Sequence, residues 1–513
     1  MLKTNILLTT LNARYTHSAI GLRCLFANMG GLQSETEICE FTMNENIQDI
    51  AEKLLSYSPK VIGIGVYIWN ATQSVELVTT IKKVSPETIV ILGGPEVSYT
   101  PIRVNFDAAD FIIQGEGDTA FAELAGAIMG GLTPTSRVIQ AAPVDLNAIK
   151  LPYDYYSDED IANRYIYVEA SRGCPFLCEF CLSSIDEKVR NFDCDQVLNA
   201  LESLWQRGVR SFKFIDRTFN LNIRIASRLL DFFLQKIESS EESCFVHFEV
   251  IPDHFPEVLK EKIAKFPPTS LQLEIGIQTL NLEVARNIQR NLKLEKIEKN
   301  IRFLEHETSA HMHLDLIVGL PGESLKSFGN NLNQLYSMTG SEIQIGILKK
   351  LSGTTLNRHD EVFGMVYAET PPYDILKNDL LSFEDIQQMK RFARFWNLFY
   401  NSGNFKQSLP LLWPDGDVFE QFHAFSIWIY AETQSTWKIS LDRLAGLLFS
   451  YLVEQGHADK QLAEIMVRDV MKLEGRKLPN FLKPYVHTRV ERSSLSTPRK
   501  QTSVFNKRQV RHS

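Results

Sequence analysis

Short apolar runs alternate with stretches whose apolar positions recur every three or four residues over the first 130 or so positions. That alternation is the pattern of an open parallel α/β sheet. It predicts strands at Asn5 to Thr9, Glu37 to Phe41, Val61 to Val66, Thr88 to Leu92 and Ala109 to Gln114, with helices near Ile20–Asn28, Ile47–Ser56, Ala71–Val84 and Thr119–Met129. Ligands of such sheets lie outside the carboxyl ends of the strands. The segments to inspect are therefore the loops Asn12-Ala13-Arg14-Tyr15-Thr16-His17, Tyr67-Ile68-Trp69-Asn70, Gly93-Gly94-Pro95-Glu96 and Gly115-Glu116-Gly117-Asp118.

From about Leu132 to Asn163 the periodicity weakens and Pro134, Pro143 and Pro152 intervene, which reads as a linker. A second α/β series follows, with strands expected at Tyr165–Ala170, Phe212–Ile215, Cys244–Val250, Leu271–Ile277, His313–Val318 and Glu342–Leu348. Six βα steps suit a partial, open barrel better than a closed eight-stranded one. Beyond about Pro371 the pattern turns helical. Ser382 with Asp385 resembles a capping box, and Met389, Phe392, Trp396 and Phe399 then recur at helical spacing, an aromatic face expected to be core. More helix is expected around Phe425–Tyr430 and Leu441–Glu454. The chain so read comprises a first α/β domain (1–135), a linker (136–163), a barrel (164–370), a helical region (371–490) and a tail (491–513) rich in Ser, Arg and Lys and expected to be disordered.

With 513 residues the chain has room for two or three cores, and its net charge of −8 gives no general reason to bind nucleic acid. The start, Met1 to Leu8, has one Lys and a short apolar run that breaks at Thr9-Thr10, so it reads as a buried strand rather than a secretion signal. No stretch approaches the roughly 18 to 20 apolar residues that span a bilayer. A cytoplasmic protein is expected. Seven cysteines, an odd number, point away from a disulfide framework and toward thiol or metal chemistry. Cys24, Cys39, Cys194 and Cys244 are scattered and read as buried free thiols.

The other three, Cys174, Cys178 and Cys181, lie in Gly173-Cys174-Pro175-Phe176-Leu177-Cys178-Glu179-Phe180-Cys181, directly after a predicted strand. That places a three-thiolate loop at the carboxyl-terminal mouth of the barrel, where barrel enzymes keep their sites. Three thiolates fall one short of the usual four at a [4Fe–4S] cluster, leaving one iron open. A structural zinc site is the rival reading, but zinc sites more often use paired CxxC knuckles, which are absent.

CxxxCxxC with an aromatic, Phe180, before its last Cys resembles the signature of the radical SAM superfamily. Leu273-Glu274-Ile275-Gly276-Ile277-Gln278 and Asp315-Leu316-Ile317-Val318-Gly319-Leu320-Pro321-Gly322-Glu323 resemble further barrel segments of that superfamily. The resemblance implies a [4Fe–4S] cluster on Cys174, Cys178 and Cys181, with S-adenosylmethionine (SAM) on its open iron and near Phe180, Glu249, Glu274, Gln278, Ile317 and Gly319. It also implies an external electron donor such as flavodoxin or ferredoxin.

Gly93-Gly94-Pro95-Glu96 and Gly115-Glu116-Gly117, placed before the cysteine motif, resemble the flavodoxin-like (Rossmann-type) cobalamin-binding domain that precedes the barrel in one radical SAM class. Glycines let backbone approach a large corrin; ordinary tight turns of a flavodoxin-like sheet are the rival reading. The resemblance gives Arg14, His17, Tyr67, Trp69, Gly93, Gly94, Pro95, Glu96, Gly115, Glu116 and Gly117 as cobalamin contacts. The chain departs from the DxHxxG pattern of domains with a histidine as lower cobalt ligand. Tyr15-Thr16-His17 lacks the Asp that would orient such a ligand, so an unligated lower face is expected.

The resulting expectation is an enzyme that cleaves SAM reductively to a 5′-deoxyadenosyl radical and methylates an unactivated carbon. Ring-forming or oxidative radical chemistry, RNA methylthiotransfer and a non-catalytic metal or cobalamin protein are the alternatives. Methylthiotransfer would need three more cysteines in the first domain, where only Cys24 and Cys39 occur. The substrate is not legible. Asp216-Arg217-Thr218-Phe219-Asn220 reads equally as substrate contact and as rim turn, and His311 and His313 share one strand face as either packing or proton-transfer groups.

Overall fold

In a computed structural model, residues 4–132, 134–240, 242–472 and 476–485 are described; the basic tail at 491–513 lies outside them. The chain divides into two units, Met1–Thr218 with Lys349–Arg358 and Tyr367–Asp374, and Phe219–Leu348 with His359–Val366 and Ile375–Ser513.

The first unit opens with a parallel sheet of β1 (Ile6–Asn12), β2 (Thr36–Thr42), β3 (Val61–Gly65), β4 (Ile89–Gly93), β5 (Phe111–Gln114) and β6 (Val138–Gln140), in the order β2-β1-β3-β4-β5-β6. Helices on the two faces give it two apolar cores. One holds Leu7, Leu54, Ile62, Leu77 and Leu92; the other holds Ile6, Leu8, Leu22, Ile91 and Phe121. Gly63 sits where an added Cβ would lie 2.6 Å from the Phe121 ring, so this close helix–strand approach needs glycine. The stretch read as a linker is more structured than its prolines suggest. It supplies β6 to the sheet, then a helix at Asp158–Asn163 held by a Ser157/Asp160 capping box.

Two further parallel strands follow in the first unit, β7 (Ile166–Val168) and β8 (Ser211–Phe214), paired in register. In the second unit β9 (Phe245–Val250), β10 (Leu271–Gln278), β11 (His311–Val318) and β12 (Glu342–Ile347) pair in parallel, each with the next. Alternation along these strands sorts their faces. Val246, Phe248, Leu273, Ile275, Met312, Leu314 and Leu316 are buried on one side. The other carries His247, Glu249, Gln272, Glu274, His311, His313 and Asp315, a polar interior of the kind that a barrel enzyme uses.

The helical region also follows its pattern. Phe383–Phe399 starts with the Ser382/Asp385 capping box, and Met389, Phe392, Trp396 and Phe399 are fully buried. Trp396 Nε1 donates to the Ile343 carbonyl at 2.9 Å, and Phe392 meets Phe422 of the Val418–Thr433 helix edge-on at 5.1 Å. A helix at Asp459–Met471 lies beyond those the periodicity marked.

Candidate functional site

Because the first sheet is parallel, the loops after β1, β3, β4 and β5 emerge along one edge. Asn70 shapes this edge: wholly buried, it accepts from Tyr67 N at 2.8 Å and donates toward Thr10 Oγ1, Leu11 O and Gly65 O. The loop so fixed presents Tyr67 and Trp69 stacked 4.5 Å apart, with Trp69 exposed and its Nε1 on Leu11 O. Burial pushes the Tyr67 phenol up to about 12, so it stays a neutral hydroxyl.

Gly94 is required as glycine: its φ is +103°, and a Cβ there would lie 2.5 Å from Val66 O. At Gly93 an added Cβ would meet nothing within 4 Å, so this glycine faces open space. Gly115, with φ +92°, lies so close to Ala141 O that a Cβ would come within 2.8 Å. Pro95 begins a short helical turn and Glu96 is buried within it, accepting a hydrogen bond from Tyr373 Oη, over whose ring Arg103 lies. Burial raises the Glu96 carboxyl above its ordinary value.

Arg14 is exposed and His17 half-buried. His17 Nδ1 sits 2.5 Å from Tyr167 Oη, and burial, with Lys213 and Arg14, lowers the imidazole so that it is neutral at pH 7. The group behind His17 is a phenol on β7 rather than a carboxylate.

The cysteine loop follows β7. A two-residue antiparallel pairing, Ser171–Arg172 with Arg190–Asn191, closes its base, and Cys174 N donates to Asp186 O at 2.9 Å. Gly173, at φ +90°, lies against this base so tightly that a Cβ would be 2.3 Å from Lys188 O. Cys174 and Cys178 are buried, while Cys181 and Phe180 are half-buried. Cys181 N closes a turn onto Cys178 O at 3.0 Å, and Ser184 Oγ donates to Cys181 O at 2.6 Å. Burial, then the neighbouring Cys181 and Cys178 sulfurs, push the Cys174 thiol up. Glu179 is buried and ion-paired with Arg358.

Partly buried ion pairs tie this loop to the edge of the first sheet. Arg172 reaches Asp118 by both terminal nitrogens at 2.9 and 3.0 Å, and Glu169 at 2.7 Å. Arg190 binds Glu116, whose carboxylate also accepts from Val144 N at 2.7 Å. Glu116 thus meets the cysteine hairpin through its side chain, while Gly115 and Gly117 leave backbone at the edge. Asp216 adds a further anchor. Burial pushes its carboxyl up to about 7, and it accepts from Ala170 N and Ser171 Oγ, at the entry to the cysteine loop. Asp216 had two open readings in sequence; the structure makes it a backbone anchor. Asn220, in the second unit, brackets the end of β9 through Ile251 and His254.

Of the second-unit residues expected from the sequence to meet SAM, Glu249 lies late in β9, Glu274 midway along β10, and Gln278, Ile317 and Gly319 at or just past strand ends. Glu249 and Glu274 are register partners, and His247 Nε2 is 2.9 Å from Glu274 Oε2. Asp315 is raised well above the carboxylate range by burial, then by the Glu274 and Glu249 charges, so these carboxyls face one another. A register shift between Gly276 and Gln278 ends β10, with Gln278 at φ +69°. At the end of β11, Ile317 is half-buried, and Gly319, at φ +92°, lies so near Ile375 that a Cβ would come within 2.8 Å.

Comparison with protein families bears on both sheets. A model described as B12 binding domain matches residues 6–125, and the Radical SAM superfamily model matches residues 168–335. The chain thus carries an amino-terminal cobalamin-binding domain followed by a radical SAM domain. A third model, described as "Protein of unknown function (DUF4080)", matches residues 361–509. This radical SAM chain is 23% identical over 361 residues to a 2-(S-pantetheinyl)-carbapenam-3-carboxylate methyltransferase of Streptantibioticus cattleyicolor, covering 62% of this chain and 51% of that protein. It is 26% identical over 200 residues to the uncharacterized methyltransferase PH0819 of Pyrococcus horikoshii, covering 34% and 43%. The chain spans about half the length of these curated relatives. The solved cobalamin-dependent SAM radical enzyme OxsB, with aqua-cobalamin and SAM bound, shares the fold at TM-score 0.62 and 13% identity, over 94% of this chain and 83% of that one.

The cofactor set of such domains is a [4Fe–4S] cluster, SAM and cobalamin. The residues present fit it: three thiols in one turn-locked loop suit an iron–sulfur cluster, and a sheet edge at which Gly93 opens onto free space and Trp69 is exposed suits a broad, flat ligand.

Proposed function

We propose that this chain is a cobalamin-dependent radical SAM methyltransferase acting on an unactivated carbon. The observation that carries the reading is the set of ion pairs from Arg172 and Arg190 to Asp118 and Glu116. They fix the cysteine loop to the glycine-lined edge of the cobalamin-binding sheet inside one unit. Methyl transfer between two cofactors requires such a fixed relation. When bound, the cluster would supply the electron for reductive SAM cleavage, and the corrin a carrier for the methyl group.

The chain's own residues do the positioning. Cys174, Cys178 and Cys181 would hold the cluster, with Gly173 and Ser184 fixing their loop. Gly93, Gly94, Tyr67, Trp69 and the backbone at Gly115–Gly117 would cradle the corrin. Glu249, Glu274, Gln278, Ile317, Gly319 and Phe180 are the proposed SAM contacts. His17 stays neutral on Tyr167 and is not assigned to cobalt. An external one-electron donor of the flavodoxin or ferredoxin kind is part of the proposal.

The test is anaerobic reconstitution with iron, sulfide and hydroxocobalamin, then dithionite and SAM, with 5′-deoxyadenosine assayed beside Cys178→Ala. Cleavage lost in the variant while corrin absorbance survives desalting is the expected result. Methyl-labelled SAM then separates methylation from oxidative chemistry in a substrate screen. A protein that takes up zinc but no iron under these conditions defeats the proposal.

A further inference from the structure

We propose that His311, His313 and Glu342 form a second metal site, for a divalent cation of the zinc class, at the start of strands β11 and β12. The sequence places the three there for a simple reason. His311 and His313 flank the fully buried Met312, so both imidazoles share the opposite face of β11. Glu342, the first residue of β12, is the register partner of His313. One carboxylate oxygen therefore serves both rings: Glu342 Oε1 lies 3.1 Å from His311 Nε2 and 3.5 Å from His313 Nε2. One ligating atom from each of the three residues lies within 4.8 Å of the others.

The two Glu342–imidazole spacings, the shorter of them a hydrogen bond in the metal-free site, are close to those of a coordination shell, and the two imidazoles stand near enough to close on one ion. Nitrogen and oxygen donors bound about 2.0–2.2 Å from a tetrahedral zinc stand roughly 3.3–3.5 Å apart. The Glu342 side chain is wholly buried and those of His311 and His313 are 8% and 13% exposed. A divalent ion bound by two neutral imidazoles would neutralise that carboxylate where solvent cannot. The groups behind the site also fit. His313 Nδ1 touches the Gln272 amide at 3.1 Å and the Gln344 amide at 2.8 Å. An amide's oxygen and nitrogen exchange places by a half-turn. With oxygen turned inward, Nδ1–H donates to it and Nε2 offers its lone pair toward Glu342, which is how a ligating histidine is normally held.

Two imidazoles and a carboxylate, with a position left for water, select zinc-class ions over the soft-ligand iron–sulfur chemistry of the cysteine loop. The site lies at the opposite end of β11 from Ile317 and Gly319. Its role is to clamp β11 to β12, and it stands independently of the reaction proposed above.

The test is cobalt(II) and zinc(II) titration of the chelator-stripped full chain, in the wild type and in a Cys174→Ala/Cys178→Ala/Cys181→Ala variant that cannot build the cluster. One equivalent of cobalt is expected in the triple variant, with visible ligand-field bands, no sulfur-to-cobalt charge transfer, and displacement by one equivalent of zinc. His311→Ala/His313→Ala should weaken binding at least 100-fold, and His313→Gln about tenfold, with circular dichroism unchanged. Absence of stoichiometric binding in the triple variant overturns the site, as does undiminished binding in the double-histidine variant. Should that variant misfold, X-ray absorption of the cobalt-loaded triple variant decides: imidazole scattering is expected, and its absence overturns the assignment.

Discussion

Replacing Arg172 by Met tests whether its ion pairs hold the cysteine loop to the first sheet. The Arg172 side chain is 16% exposed and its guanidinium sits between Glu169 and Asp118, whose side chains are 7% and 6% exposed. Burial already pushes the Glu169 carboxyl up, and Arg172 is the largest influence opposing that. Methionine keeps most of the aliphatic volume but leaves two carboxylates close together with their shared cation gone. Removing one partner of a buried pair costs about 3–5 kcal/mol. Hydrogen exchange by mass spectrometry on the full chain localises the loss. Where opening is fast, amides in β1, β5 and β7 should exchange roughly 150- to 5,000-fold faster, while amides of the Phe383–Phe399 helix in the second unit keep their wild-type rates. Adding Asp118→Asn should recover part of the difference, because one uncompensated charge is then gone. Protection within tenfold of wild type in β1 and β5, or a double variant that loses the full sum of the two single losses, would refute the reasoning.

Three other outcomes follow from the same geometry. Gly94→Ala forces a Cβ against Val66 O at positive φ and should cost at least about 2 kcal/mol in thermal unfolding; Gly93→Ala, opening onto free space, should leave the melting temperature unchanged yet weaken cobalamin retention on desalting. Glu323, buried and accepting from Thr279 and Asn331, has its carboxyl pushed up to about 7 by burial. The native state then binds more protons than the unfolded one between about pH 4.5 and 7, so its stability falls as pH rises through that window, by at most about 3 kcal/mol. Glu323→Gln should melt higher than wild type at pH 8 and lose that advantage near pH 4; parallel pH profiles would count against it. Trp396→Phe removes the donor to Ile343 O, which keeps its bond from Asn401 Nδ2 at 2.8 Å, so a loss of about 1–2 kcal/mol is expected by denaturant titration.

What the sequence disclosed, and what it withheld, divides along range. Alternation and helical spacing are local, so Ile47–Ser56, Ala71–Val84 and Leu441–Glu454 were legible to the residue. The cysteine loop and the four strand-end loops were legible because parallel topology sends such loops to one edge. The ion pairs were not, since Arg172 and Asp118 stand 54 positions apart and Arg190 and Glu116 74 apart. No periodicity links such positions. Glu342 opened a strand without any sign of the histidine pair it would meet, because register is a tertiary fact. Strand β6 was hidden among prolines: three residues give too short an alternation to rise above a linker pattern.

That short strand decides where the chain can be cut. Ile112 N donates to Arg137 O, and Ala141 N donates to Gln114 O. A fragment ending near residue 125 or 135 would therefore strip β5 of its outer neighbour and leave Phe111, Ile112 and Ile113 on an open, apolar margin, an invitation to self-association. A stand-alone corrin-binding fragment should run past Ala141, so that the sheet retains the strand that closes its flank.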